Sequence, residues 1–245
     1  MRKVGLIGGM SWVSTGMYYK WINKGVTQRV GPMASAPLLI ESLNFAELYG
    51  ITQEDDWGRA ADILSASAKR LEDAGAGAIA IAANSMHRVY DSVADAVDVP
   101  VLHIADAVGR KMKAADAGNA ALIGTRNVMT ESFYRKHLVA HGVDLLPPDM
   151  THVERTNAII YDELMHGKAS RDSERFFRTM ITNLEQSGAK AIVLACTELD
   201  MVIDVDANVL PIFDSARIHC EAVVDWMLGE DQGAGAGAGD SEEAS

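Results

Sequence analysis

Only two cysteines, Cys196 and Cys220, occur in 245 residues, too few for a disulfide framework. Positive charge is also scarce: 22 Lys and Arg stand against 34 Asp and Glu, for a net charge of −12. Five of the acids lie in the last sixteen residues and leave the preceding body at −7. A phosphate backbone is held by clustered Lys and Arg, so an acidic body argues against a nucleic-acid partner. It leaves room for a small anionic ligand, which one or two cations or helix N-termini can hold. No apolar run approaches the roughly 18 residues of a membrane span. The opening Met1-Arg2-Lys3-Val4-Gly5 enters a strand pattern without a secretory h-region. The expected location is the cytoplasm, with no membrane partner.

What remains is ordinary for a folded protein, with 48% hydrophobic and 23% charged residues. At this length roughly 70% of the unfolded surface is buried on folding, so the core needs no covalent staple. Short apolar runs alternate with helical patterns from end to end. Predicted strands are Lys3–Gly8, Ala36–Glu41, Gly77–Ala83, Val99–Ile104, Asn119–Gly124 and Ala191–Cys196. Several are continuously apolar, as strands buried on both faces of a parallel sheet are. Helical patterns cover Trp57–Ala74, Ser132–His141, Arg155–His166 and Asp172–Ser187, with Ser85 and Thr197 placed to cap helices. The class is α/β. Gly229–Ser245, Gly/Ala-rich with acidic flanks, reads as a disordered tail.

The chain also repeats itself. Leu71–Ala83 aligns without gaps on Leu184–Cys196, and Leu6-Ile7-Gly8 aligns on Leu122-Ile123-Gly124, with Tyr18 on Tyr134 and Lys20 on Lys136. The two offsets, 113 and 116, nearly agree. Duplication implies two similar α/β halves whose strand C-termini face a shared cleft, where open α/β sheets bind ligands. Residues 1–104 with 212–228 form the first expected domain and 105–211 the second.

In the repeat, Ala83 and Cys196 are equivalent, each ending a buried strand just before an expected helix. Helix dipoles and backbone N–H groups there are expected to lower the Cys196 pKa toward a usable thiolate. Acid/base groups on opposite faces of one carbon can remove a proton on one side and return it on the other. Here only one face carries such a group. Asn84, Ser85, Thr125 and Thr197 sit at strand-to-helix junctions, where each can cap a helix or bind a carboxylate. Cys220 lies on the stripe Ala216, Cys220, Val223, Met227 and reads as packing. His137 and His141 have the spacing of metal ligands, but no third ligand is evident, and they read as a solvated face. No metal is expected. Gly5-Leu-Ile-Gly8-Gly9 is not a dinucleotide fingerprint.

Several motifs together resemble the cofactor-independent aspartate/glutamate racemases. They are Gly5–Trp12 with Ser14-Thr15 and Tyr18-Tyr19, Asn84-Ser85-Met86-His87, Gly124-Thr125-Arg126, and Phe133-Tyr134. Ile160–Leu164, Ala195-Cys196-Thr197-Glu198 and Leu210–Asp214 complete the set. The resemblance implies two pseudo-symmetric α/β domains with mainly parallel sheets, an active site between them, a homodimer, and chemistry without pyridoxal phosphate. It carries Cys196 over as a catalytic acid/base. Met10, Asn84, Ser85, Met86, Thr125, Lys168, Thr197 and Glu198 carry over as substrate-binding positions. Lys168 follows Gly167 at a helix end, where a cation also suits the dipole. Position 83 does not carry over, because Ala has no proton to exchange where the family has Cys or Thr. Val13, Asn44, Ser85, Val128 and Thr130 are smaller departures.

Three readings follow. The first is a racemase-type enzyme for a small acidic amino acid or related carboxylate, working through Cys196 and impaired by Ala83. Its empty face would depend on water or a neighbour such as Ser85 or His87. The second is a decarboxylase or lyase in which a single cysteine delivers one proton, an arrangement that resembles the arylmalonate decarboxylases. The third is a catalytically silent amino-acid-binding protein.

Overall fold

The structure, a computed structural model, describes residues 1–205 and 208–230. The expected tail lies outside the described residues from position 231 onward. The first half runs β1 (Val4–Gly8), α1 (Trp12–Val30), β2 (Leu38–Ser42), α2 (Phe45–Gln53), α3 (Trp57–Asp73), β3 (Ala78–Ile81), α4 (Tyr90–Asp95) and β4 (Val101–Leu102). The second begins with α5 (Ile104–Ala114), β5 (Asn119–Gly124), α6 (Arg126–Thr130), α7 (Ser132–Ala140), β6 (Asp144–Leu145) and α8 (Met150–Asp162). It ends with α9 (Arg171–Gln186), β7 (Ile192–Ala195), β8 (Ile212–Asp214) and α10 (Ser215–Leu228). Short 3₁₀ turns cover Ser85–Val89, Leu164–His166 and Thr197–Met201. Among the described residues no helix is long and apolar enough to cross a membrane.

Both sheets are parallel and share one topology, β2-β1-β3-β4 and β6-β5-β7-β8. The repeat therefore superposes β1 on β5 and β3 on β7. Alternation along each strand feeds two cores. Val4 and Leu6 pack with Ala78, Ala80 and the helices α1 and α10, whereas Ile7, Ile79 and Ile81 pack under Leu64 and Leu71 of α3. The second sheet repeats the division. Leu122 and Val193 face Tyr134 and Leu138 of α7, while Ile123, Ile192 and Leu194 face Phe177 and Ile181 of α9. Strands apolar on both faces follow from this sandwiching. Each fully buried aliphatic side chain contributes about 1.5–3 kcal/mol.

The helices begin where short polar side chains cap them. Ser11 accepts from the Ser14 N–H, Ser170 from the Ser173 N–H, and Asp214 from the Ala216 and Arg217 N–H groups. The expected helix Arg155–His166 is in fact α8, starting at Met150, followed by a separate 3₁₀ turn. Residues 212–214, grouped on sequence with the first domain, form β8 and pair with β7 in the second sheet. The helix after them, α10, joins the first-half core, with Ala216, Cys220, Val223 and Met227 all buried there. α10 thus ties the halves together.

In each sheet the strand order reverses beside the first strand, at β1/β3 and at β5/β7. The crevice at such a switch point is where α/β sheets bind ligands. Two glycines let the backbones close there. Gly9 has φ +85°, and a Cβ on it would lie 2.1 Å from the Leu43 carbonyl oxygen. A Cβ on Gly124 would lie 2.8 Å from the Ala195 carbonyl oxygen.

Candidate active site

The loops leaving β1, β3, β5 and β7 meet around a cavity of about 300 Å³, at the lower end of small-molecule sites. Met10, Ala83, Asn84, Ser85, Met86, Thr125, Cys196, Thr197 and Glu198 all line it. Lys168 does not: it is exposed beyond Gly167, whose left-handed conformation ends the 3₁₀ turn before it. The repeat thus brings both strand-end positions, Ala83 and Cys196, to one cavity.

Glu198 organises the second-half wall. The residue is 6% exposed. Oε1 accepts from the Ser11 and Ser14 hydroxyls at 3.0 Å each, and Oε2 accepts from Thr197 Oγ1 at 2.7 Å and Cys196 Sγ at 3.2 Å. Ser14 and Thr197 hydroxyls are themselves 2.6 Å apart. Because Ser11 and Ser14 open α1, this network joins the halves at the thiol.

The expected acidification of Cys196 is overturned. Burial, then the Glu198 charge and its hydrogen bond, push the thiol well above its ordinary range. The Glu198 backbone N–H pulls the other way and loses. The helix imagined after the strand is a single 3₁₀ turn, which offers little dipole against a carboxylate at contact distance. Cys196 rests as a thiol that donates to Glu198.

Ser85 and Thr197 do not cap. Each begins a 3₁₀ turn, and neither turn has a side-chain cap. Nor does Thr125 cap α6 with its side chain. Among the described residues the Thr125 hydroxyl and the Asn84 amide oxygen are buried without a hydrogen-bond partner. A buried polar group left unmade costs about 1–3 kcal/mol. A ligand with an acceptor for Thr125 and a donor for Asn84 offsets that cost, and the carboxylate and ammonium of an amino acid provide this pair.

Sequence reasoning missed the aromatic part of the lining, Phe45, Tyr49 and Trp57 of the first half and Tyr161 of the second, together with Met165. Tyr161 lies within the Ile160–Leu164 motif; Phe45, Tyr49, Trp57 and Met165 carry no local signal that marks them as lining. Burial first, then Cys196, Tyr49 and Glu198, push the Tyr161 hydroxyl up to about 12. Arg126, also on the lining, pairs with Glu154.

Two histidine expectations also change. His87 cannot serve the empty face. It is buried beneath the Ser85–Val89 turn, with Nδ1 donating to the Ala83 carbonyl at 2.9 Å and Nε2 accepting from the Ile104 N–H at 3.2 Å. Burial, above all, lowers its pKa to about 4 and keeps the ring neutral. His137 and His141 are not a solvated face: both contact Asp106 Oδ1, at 2.8 and 3.3 Å, and the His137 ring stacks on His103 at 3.7 Å. His103, Asp106 and His137 offer atoms within 4.8 Å of one another, the third group not evident from spacing. However, His103 Nδ1 accepts from the Ala105 N–H at 3.1 Å. Its ring proton therefore sits on Nε2, which cannot coordinate a metal in that tautomer.

Two like parallel sheets whose strand-end loops meet around one thiol define a duplicated α/β protein. The chain belongs to the Asp/Glu/Hydantoin racemase family, whose family model matches residues 7–223. Its fold is similar to a Yersinia pestis structure assigned provisionally as an Asp/Glu racemase, with TM-score 0.88 and 39% identity over 93% of this chain and 100% of that one. It is also similar to an aspartate racemase homologue from Pyrococcus horikoshii OT3, with TM-score 0.81 and 34% identity over 93% and 100% of the two chains. The broad specificity amino-acid racemase RacX of Bacillus subtilis (strain 168) is 23% identical over 225 residues, 83% of this chain and 97% of RacX.

Proposed function

We propose that this chain is a racemase-type enzyme that exchanges the Cα proton of a small amino acid from one face, through Cys196. The family description puts aspartate and glutamate first among candidate substrates. The observation that carries the reading is the placement of Cys196 and Ala83 on one cavity beside the unpartnered Thr125 hydroxyl and Asn84 amide oxygen. Thr125 donates to the α-carboxylate and Asn84 accepts from the ammonium. The ammonium's positive charge favours passage of the thiol proton to Glu198 Oε2. The thiolate then takes the Cα proton, and the carboxylate-bound hydroxyl stabilises the charge that develops. Ala83 supplies nothing on the other face, so the same sulfur returns the proton and inversion is slow. Neither pyridoxal phosphate nor a metal enters these steps.

One observation favours a second reading. A thiol that rests protonated is ready to deliver a proton, which is all that a single-cysteine lyase asks after carbon dioxide has left a malonate-type substrate. Cα exchange in heavy water with retained configuration supports the first reading, and carbon dioxide release supports the second. Ala83→Cys is expected to raise racemisation by several orders of magnitude, and Cys196→Ser to abolish exchange. Unchanged exchange in Cys196→Ser refutes the proposal. The homodimer that the family implies would cover the exposed Trp12, Val13 and Tyr19 of α1, and sedimentation of wild type beside Trp12→Glu tests it.

A further inference from the structure

Phe45, Tyr49, Trp57 and Tyr161 line the same cavity as Cys196, beside the polar Thr52, Asn127 and Asn157. Phe45 packs on Tyr49 with ring centroids 5.8 Å apart, and Tyr49 packs across the halves on Tyr161 at 5.4 Å. Trp57 adjoins them, its indole N–H already donated to Asp55 at 2.7 Å. The cavity's charges do not favour a second carboxylate. Glu198 is the acid on the lining and Arg126 the cation. The Arg126 guanidinium is paired with Glu154, and its side chain is 47% exposed. Lys168, carried over from the family as a substrate-binding position, is exposed and not on this lining.

We propose that this cavity selects a small amino acid with an uncharged, apolar side chain over aspartate and glutamate. The inference rests on the amino-acid reading of the site and adds its side-chain specificity. An apolar side chain exchanges water for the rings of Phe45, Tyr49 and Tyr161 and for Met165, and gains from burial. A side-chain carboxylate in the same place loses its hydration, finds no unpaired cation on the lining among the described residues, and adds negative charge near Glu198.

Two measurements on the wild-type chain separate this inference from the reading beneath it: dissociation constants by calorimetry, and Cα exchange in heavy water. The panel is methionine, leucine, phenylalanine and aspartate, with glutamine and glutamate as an isosteric pair that differs in charge. Methionine is expected to bind at least tenfold more tightly than glutamate, glutamine more tightly than glutamate, with exchange in the same order. Glutamate or aspartate binding more tightly than every neutral member overturns the selectivity and leaves the proton-transfer reading standing. Tight, selective binding of methionine without exchange supports the selectivity and removes the proton-transfer reading. Failure to bind any member overturns both. Met165→Lys puts a cation on the wall and is expected to shift the glutamate-to-methionine affinity ratio at least tenfold toward glutamate. A folded variant with an unchanged ratio shows that this wall does not meet the side chain.

Discussion

Replacing Glu198 with Gln isolates the force that holds the Cys196 proton. The change keeps the side-chain volume and removes one negative charge 3.2 Å from the sulfur. With the carboxylate charge shared between two oxygens and an effective dielectric of about 20, thiolate and carboxylate repel by about 4 kcal/mol. Removing that repulsion raises the thiolate population at fixed pH by up to about a thousandfold, the full factor applying where the thiol stays mostly protonated. A more acidic thiol is also a weaker nucleophile, with a Brønsted slope of about 0.4–0.5, which cancels a little under half of the gain on a logarithmic scale. The expected net result is alkylation by iodoacetamide about 30- to 50-fold faster at pH 8. The assay uses a Cys220→Ala background, so that a single thiol reports. A rate–pH profile separates acidity from access, since easier entry lifts the whole curve without moving its midpoint. A midpoint that stays put or moves to higher pH refutes the electrostatic account of the thiol. Loss of Cα exchange in Glu198→Gln, despite a more reactive sulfur, would assign Glu198 the proton-accepting step.

Other consequences concern the scaffold. Gly9→Ala forces a Cβ against the Leu43 carbonyl at positive φ and is expected to cost about 3 kcal/mol or more in denaturant unfolding. Gly16→Ala, with open space around it inside α1, is expected to stabilise by about 0.5–1 kcal/mol. His87 and His219 are buried and neutral, their pKa values lowered by burial to about 4 and about 3. Below about pH 6.5 the unfolded chain binds protons that these folded rings refuse. Stability is therefore complete above that pH and is lost as pH falls through the folded values, by up to about 1.4 kcal/mol per unit for each ring. A flat stability profile from pH 6.5 to 4 would contradict this. Phe177→Ala empties a fully buried site on α9 and should cost about 3–5 kcal/mol.

Much of the architecture was legible because its cause is local. Short apolar runs such as Ala120–Gly124, bounded by turn residues, read as strands covered on both faces, and β5 spans Asn119–Gly124. The stripe through Cys220 placed that thiol in a core. β6 and β8, two and three residues long, carry too little pattern to stand out. Residues 212–214 were grouped with the first domain, whereas β8 pairs with β7 of the second sheet, because pairing depends on a neighbour distant in sequence. The internal repeat located Cys196 and Ala83 as counterparts because duplicated sequence folds into duplicated topology, and one cavity receives both strand ends.

The chain's own order of residues thus determined an α/β body built twice, its family, and the two positions at the heart of the cleft. Tertiary structure alone decided the state of the thiol, because a proton's affinity is set by what surrounds it in space. Glu198 is two residues from Cys196, but it acts as a buried, fixed anion only because Ser11 and Ser14 reach it from the other half. Likewise Lys168 left the site and Tyr49 met Tyr161 across it, since charge balance and walls belong to surfaces brought together by folding.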